Sequence, residues 1–532
     1  MGQGPRITRR SLLLAAPTLA LASCGRDRAR EWPLAWVGAD PARGHRLRDA
    51  AARATAGAAL RRRADVVIVG AGVAGLAAAR ALGRRGVDAV HLLELEDEPG
   101  GNSRGHSIGA LRCPLGAHYL PLPGPHALEV AEWLHELGLL RHSMGRIVAD
   151  ERHLCHSPQE RLFIDGQWHD GILPPAPARS PASDQYRRFA ADVRLAQRDL
   201  GFAIPTARAA WTPAHAALDR LPFAQWLGER GYDDPRLRWY LDYACRDDYG
   251  AGTATVSAWA GLHYFASRHG FAAPGDEVGE RDAVFTWPEG NAWLVERLAA
   301  PYRGERLHTG RSVVRVTPTR TQVELLCRDE ASGRAELWTA RAVVLAVPLF
   351  AALRMLDAPP PALAAAAAAL RHAPWLVANV QLGAPLLDRA AGAPASWDNV
   401  VYQGPSLGYV DAQHQSLQAA PGPTVLTAYW ALAERDRARL LGDDAASFWA
   451  RAVVDDLAVA HPDLPGKVRR IDLTRYGHAM SIPVPGLRSN PAVQALASQQ
   501  GRLCFAHADL SGYSVFEEAF AHGTRAGAAL RL

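Results

Sequence analysis

Residues 64–94 read ADVVIVGAGVAGLAAARALGRRGVDAVHLLE, and the fold turns on this stretch. The apolar run from Val66 to Val69 enters a turn carrying Gly70, Gly72 and Gly75. An alanine-rich segment without proline continues to about Leu82, where Gly83 and Gly86 stop it. That order predicts strand, tight turn, helix. A second run, Val87 to Leu93, ends on Glu94, nineteen residues past Gly75. In such an arrangement Gly70 permits the turn, Gly72 lets backbone approach a pyrophosphate, and Gly75 allows close contact of helix and strand. The free N–H groups of the helix start then face the phosphates, and Glu94 accepts hydrogen bonds from ribose hydroxyls. A glycine-rich turn alone also occurs as a plain structural turn. Strand, helix, second strand and acid in sequence favour dinucleotide binding.

The remainder of the chain is bounded by its size and charge. At 532 residues it exceeds what one hydrophobic core serves, so two closely packed domains are expected. Hydrophobic residues make up 48% and charged residues 21%, a globular composition with no apolar run long enough to span a bilayer. The net charge of +5 is spread over 59 basic and 54 acidic residues, which leaves no nucleic-acid footprint. Among the basic residues only Lys467 is lysine.

The N-terminus reads as a targeting segment. Thr8-Arg9-Arg10-Ser11-Leu12-Leu13 opens a mostly apolar stretch that ends at Leu21-Ala22-Ser23-Cys24, too short to span and laid out as a bacterial export signal. The arginine pair resembles a twin-arginine signal. Leu-Ala-Ser-Cys resembles a lipobox, which implies lipidation at Cys24 and an exported protein tethered to the membrane on the periplasmic side, its acyl chains giving stable anchoring. Residues 25–63 would then be a tether or covering segment. Beyond Cys24, the cysteines at 113, 155, 245, 327 and 504 are widely spaced without any CxxC, so no metal site is expected and an odd thiol is left over.

After Glu94 come Pro99-Gly100-Gly101-Asn102-Ser103-Arg104, and here the chain resembles the flavin-containing amine oxidoreductase superfamily, which includes monoamine and polyamine oxidases, protoporphyrinogen oxidase and phytoene desaturases. The resemblance implies FAD as cofactor, with the Gly100-Gly101 pair wrapping its flavin side. Asn102 stands where the family usually has arginine, so a charge contact falls to Arg104. Gly116 and Ala117 match the small-residue segment beside the isoalloxazine ring, and His118 next to them is read as a surface histidine. Val313 matches the residue whose backbone holds adenine. Ala342 to Pro348 resembles the apolar strand that closes the cofactor domain, and Asp509 takes the acidic role toward the ribityl and phosphate groups. The helix from Phe516 to Gly527 would aim its N-terminus at the flavin. Many amine oxidases carry a lysine at the position of Leu376 or Val377; its absence weighs against fast reoxidation by oxygen.

These segments predict an α/β fold, a Rossmann-like FAD-binding domain with an inserted α+β substrate domain. The cofactor domain is expected at 64–130, 285–350 and 471–532, and the substrate domain at 131–284 and 351–470, after an export signal at 1–24. Asp165-Gly166 predicts a hairpin turn. The aromatic residues Trp226, Trp239, Tyr240, Tyr243, Tyr249, Trp259 and Tyr264 fall at helical spacing, which is more often core than cavity wall. The expected reaction takes hydride from an amine C–N bond. An apolar polyene or porphyrin-like substrate is the alternative, and a flavin-binding lipoprotein without turnover is a third reading. No side chain need act as a strong base; Tyr513, Tyr429 and His478 are the candidates for a catalytic wall. The electron acceptor is left open.

Overall fold

A computed structural model describes residues 31–49, 60–268, 270–275, 283–388, 391–416, 422–442 and 444–532. The export signal and Cys24 lie outside the described residues. Among these residues no helix is long and apolar enough to cross a membrane.

The quoted stretch folds as read. Leu60–Val69 forms a strand, Val73–Arg84 a helix and Val90–Leu93 the next strand, parallel to the first. Val66, Val67 and Ile68 are wholly buried because both faces of this sheet are covered. On the other side Ala335–Leu345 pairs in parallel with Leu60–Val69, and Leu503–Phe505 pairs in parallel with Ala335–Leu345. Arg311–Pro318 and Val323–Asp329 complete a seven-stranded sheet with Leu307–His308. The C-terminal helix Phe516–Ala529 lies against Val73–Arg84 at unusually close range. A Cβ at Gly523 would meet Ala74 O at 2.1 Å and one at Gly527 would meet Ala78 O at 2.6 Å, so glycine is what lets the two helices touch. The helix that follows the glycine turn and the last helix of the chain are thereby fixed side by side.

The second sheet has eight strands in the order Leu34–Trp36, Val468–Ile482, Arg371–Leu382, Thr424–Ala431, Tyr409–Asp411, Asp398–Val401, Glu160–Ile164 and Gln167–Asp170. The last two form the expected hairpin, with positive φ at both Asp165 and Gly166. Helices between Pro181 and Ala266 pack on this sheet, and Trp226, Tyr243, Tyr249 and Trp259 sit in its core with Trp239, Tyr240 and Tyr264 against them.

Two of the expected boundaries shift. Val468–Ile482 is one strand of the second sheet, so the cut at 470 falls inside it and the cofactor domain resumes only after Ile482. The cut at 130 falls inside the helix Leu128–Glu136, whose Val130, Trp133 and Leu134 share a core with Val66 and Leu76 of the cofactor domain. Residues 34–48, within the segment expected as a tether or cover, form an edge strand, Leu34–Trp36, and a short helix, Pro41–His45, that continues into the turn Arg46–Arg48.

Candidate active site

A cleft of about 720 Å³ runs along the carboxyl ends of the parallel strands, where open α/β sheets bind ligands. Gly70, Gly72, Glu94, Gly100, Gly101, Arg104, Ala117 and Val313 all line it. Gly70 has φ +94°, and a Cβ there would strike Ala346 O at 2.5 Å, so only glycine makes this turn. Gly75 does not reach the cleft. A Cβ on it would lie 1.9 Å from Gly70 O, which makes it the point where helix and strand close on each other. Gly116 lines the adjoining chamber rather than the cleft, its Cα packed under Asn102 O.

Glu94 is buried at the strand end. Its Oε2 accepts from Ala71 N at 2.7 Å and its Oε1 from Glu96 N at 3.0 Å, while burial raises its pKa against the pull of those two amides. Each oxygen keeps a lone pair for a hydroxyl in the cleft. Arg104 donates from Nε to Gly101 O at 3.0 Å and so braces the loop that Gly100 and Gly101 form. Val313 sits where the register of its strand shifts before Arg315, a bulge that carries the backbone to the cleft wall.

Two helix starts open onto this one cleft. Gly72, Val73 and Ala74 begin the first helix, and Ser514, Val515 and Phe516 begin the last. Neither has a side chain capping its free N–H groups. Free amides and a positive helix end favour negative charge. The residues therefore fit FAD: one helix start and a glycine cradle for the pyrophosphate, an acid for the ribose, and a second helix start for charge on the ring.

Asp509 departs from its expected role. It is fully buried and absent from the cleft wall. Its Oδ2 accepts from Leu349 N at 2.9 Å, and its Oδ1 accepts from His372 Nε2 at 3.0 Å and from Ser481 Oγ. The neighbouring His507 and Ala508 line the cleft instead. The acid sits one residue too far along the chain to face the cleft, because Ala508–Ser511 coils into a 3₁₀ turn.

Against one end of the cleft lies a chamber of about 150 Å³. The two share Asn102, Ala117, Tyr476, Ala479 and Ser514 to Phe516. Tyr119, Trp375, Tyr429 and His118 supply aromatic walls, and Asp247, Asp248, Glu517 and Arg268 supply charge. His118 is thus a chamber residue, not a surface one. Its ring stacks on Tyr429 with centroids 4.4 Å apart, and burial pushes its pKa down to about 3, so the imidazole is neutral. Tyr429, one of the three expected wall residues, donates from its hydroxyl to Gly116 O at 3.0 Å. The other two lie elsewhere. Tyr513 is fully buried and donates to Glu518 Oε1, and His478 lines the cleft beside Phe350.

Asp248 is committed to Arg268, 3.0 Å away. Burial and the neighbouring Asp248 push Asp247 up to about 7. Sequence reading passed over Asp247; the signal for it was an acid pair at the end of a helix otherwise dense in aromatics, Pro235–Tyr249. Val377, one of the two positions matched to the family's lysine, lines the chamber, whereas Lys467 is engaged with Asp463 at 2.6 Å and touches neither cavity.

The family model of the flavin-containing amine oxidoreductases matches residues 73–531. A stretch of 168 residues is 36% identical to the tRNA 5-methylaminomethyl-2-thiouridine biosynthesis bifunctional protein MnmC of Chromohalobacter salexigens, over 30% of this chain and 20% of that protein, so the chain spans about a fifth of the relative's length. Among solved structures, cyclohexylamine oxidase from Brevibacterium oxydans IH-35A superposes with a TM-score of 0.65 at 20% identity, over 88% of this chain and 98% of that one. Putrescine oxidase bound to putrescine gives 0.66 at 19% identity over 88% and 99%. A fatty acid isomerase from P. acnes gives 0.61 at 18% over 87% and 97%. At these identities the likeness is one of fold.

Proposed function

Because the chain belongs to the flavin-containing amine oxidoreductase family, we propose that its substrate is an amine, oxidised at the C–N bond in the chamber that abuts the cofactor cleft. The observation that carries this reading is Asp247, a carboxylate lining a small aromatic chamber without a salt-bridge partner among the described residues. An ammonium group entering that chamber meets aromatic faces and a negative charge, both of which attract a cation. Bound FAD supplies the two-electron acceptor. The protein's part is to hold and orient. Tyr119, Trp375 and Tyr429 confine the alkyl chain, and burial keeps water away. Asp247 Oδ holds the ammonium and then takes its proton, freeing the nitrogen lone pair that must form the C=N bond as hydride departs.

The missing lysine in the chamber wall supports an acceptor other than oxygen. The apolar share of the chamber supports the second reading, an apolar substrate, less well, since such a molecule would leave Asp247 buried and unanswered. The test is an anaerobic survey of reductants against the purified yellow protein. Bleaching of the flavin's visible absorption by amines is expected; bleaching by polyenes or porphyrinogens with no response to any amine would refute the amine reading. Slow recovery of the colour in air would support the acceptor reading, and fast recovery would refute it.

From the N-terminal sequence we propose an exported, lipid-anchored protein. Cys24→Ala should release it from the membrane fraction, and Arg9→Lys with Arg10→Lys should hold it in the cytoplasm.

A further inference from the structure

The segment Leu34 to Arg48 crosses the cofactor cleft from one sheet to the other. It begins as the edge strand of the eight-stranded sheet, paired in parallel with Val468–Ile482, and Val37 N donates to Leu473 O at 2.8 Å. Gly38 then turns with φ +82°, pressed so close to Leu115 and Thr474 that a Cβ would come within 2.9 Å of the leucine. Beyond it the chain lands on the far bank. Asp40 N donates to Glu96 Oε1 at 3.1 Å, and Arg43 grips Asp97 through both terminal nitrogens, at 2.8 and 3.1 Å, with Nη1 also donating to Leu95 O. Arg46 donates to Glu330 Oε2 at 2.6 Å, and the other oxygen of Glu330 accepts from Ser312 Oγ at 2.6 Å, next to Val313. Leu47 packs on the core that contains Val69, Leu93 and Val313.

Every anchor on that bank flanks Glu94 or Val313, the residues that mark the adenosine half of the cleft. Ala39, Pro41, Arg43, Gly44, His45 and Arg48 of this segment are themselves cleft wall. The strap therefore does more than tie two domains together: it supplies the side of the cleft that the glycine loop and the strand ends leave open.

We propose that residues 39–48 are a cofactor-binding element, closing over the adenosine half of bound FAD and setting how fast FAD leaves. This rests on the flavin reading above. With the strap in place the adenosine is enclosed on its outer side, and release requires the links to Asp97 and Glu330 to break. Arg43→Ala with Arg46→Ala cuts both, at positions outside the glycine cradle and the substrate chamber.

The experiment starts from holoenzyme and follows the return of free FAD fluorescence in the presence of an apoflavoprotein scavenger, alongside thermal unfolding of the apoprotein. The double variant should release FAD about tenfold faster, the effect of about 1.4 kcal/mol, with apoprotein melting unchanged. Unchanged release overturns the proposal. Faster release accompanied by an equal loss of apoprotein stability also overturns it, since the strap would then hold the fold and not the cofactor. Should the double variant fail to fold, Arg46→Gln alone, which leaves Arg43 in place, is read the same way. Wild-type protein that retained no FAD would overturn the flavin reading together with this one, so the two failures are distinct.

Discussion

His372 Nε2 stands 3.0 Å from Oδ1 of Asp509, a contact between a strand of the eight-stranded sheet and a turn of the cofactor domain. His372 is on a central strand of the eight-stranded sheet, and Asp509 follows the Leu503–Phe505 strand of the cofactor sheet. Ser481, from the strand beside His372, donates to the same oxygen, and Leu349 N at the start of a cofactor-domain helix donates to the other. One buried carboxylate thus joins both sheets next to the cleft.

Replacing Asp509 by Ala should cost about 3 kcal/mol of stability, the usual loss when one partner of a buried charged network is removed. Thermal unfolding of the apoprotein checks it. The pH dependence follows from the direction of the shift. Burial alone would raise the Asp509 carboxyl, but His507 and His372 hold it well below the ordinary carboxylate range. A folded pKa lower than the unfolded one gives stability that is present above about pH 4 and is lost as pH falls toward the folded value. Wild-type protein should therefore lose melting temperature more steeply below about pH 4 than Asp509→Asn does.

Gly72 and Gly75 should separate cofactor binding from folding. At Gly72 a new Cβ would meet only Gly101, at 3.8 Å, so Gly72→Ala has room in the protein but places a methyl in the cleft where the pyrophosphate would run. Apoprotein melting should be unchanged and FAD affinity reduced. Gly75→Ala drives a methyl to 1.9 Å from Gly70 O, and the helix must leave the strand. Its apoprotein should melt lower by several degrees, as a loss of about 1–3 kcal/mol gives.

Glu94 serves the same turn through its two amide partners. Glu94→Ala leaves Ala71 N and Glu96 N without their acceptor and removes the cleft's acid, so FAD affinity should fall by about tenfold or more, the scale of one or two lost hydrogen bonds. Titration of apoprotein with FAD, followed by quenching of its fluorescence, measures this directly.

The cofactor side of the site was legible because it is local. Glycines, an apolar strand and an acid at set spacing each constrain backbone within about thirty residues, and Gly70, Gly72 and Glu94 lie on the cleft wall as read. The substrate chamber was not, since Asp247, Tyr119, Trp375 and Glu517 come from four distant stretches, two strands and two helices, that meet only in the folded chain. The aromatics at helical spacing, Trp226 and Trp259 among them, are core as read, while the chamber takes Trp375 from a strand. Asp509 shows the limit even within a matched motif: a displacement of one residue along a 3₁₀ turn moved the acid from the cleft into the seam between sheets. Residues 34–48 carry no periodicity, and their place becomes evident only when the partners of Arg43 and Arg46 are seen.

Asp247 and an amine ligand change charge in different pH ranges. The pKa of Asp247 is pushed up to about 7, whereas an alkylammonium stays protonated to about pH 10. Across pH 5 to 9 the ligand's charge is constant and only the carboxyl changes. Below about pH 7 Asp247 is protonated and no longer answers the ammonium, so amine affinity should rise with pH through that range and level off above it. An amine with no hydrogen on the carbon next to nitrogen binds without being oxidised, and perturbation of the flavin spectrum reports its Kd. Asp247→Asn should weaken this binding by about ten- to a hundredfold at pH 8, the value of a charge-assisted hydrogen bond in a buried site. It should also flatten the pH profile. A variant that binds weakly yet keeps the wild-type profile would assign the titration to another group, and unchanged affinity would remove Asp247 from amine recognition altogether.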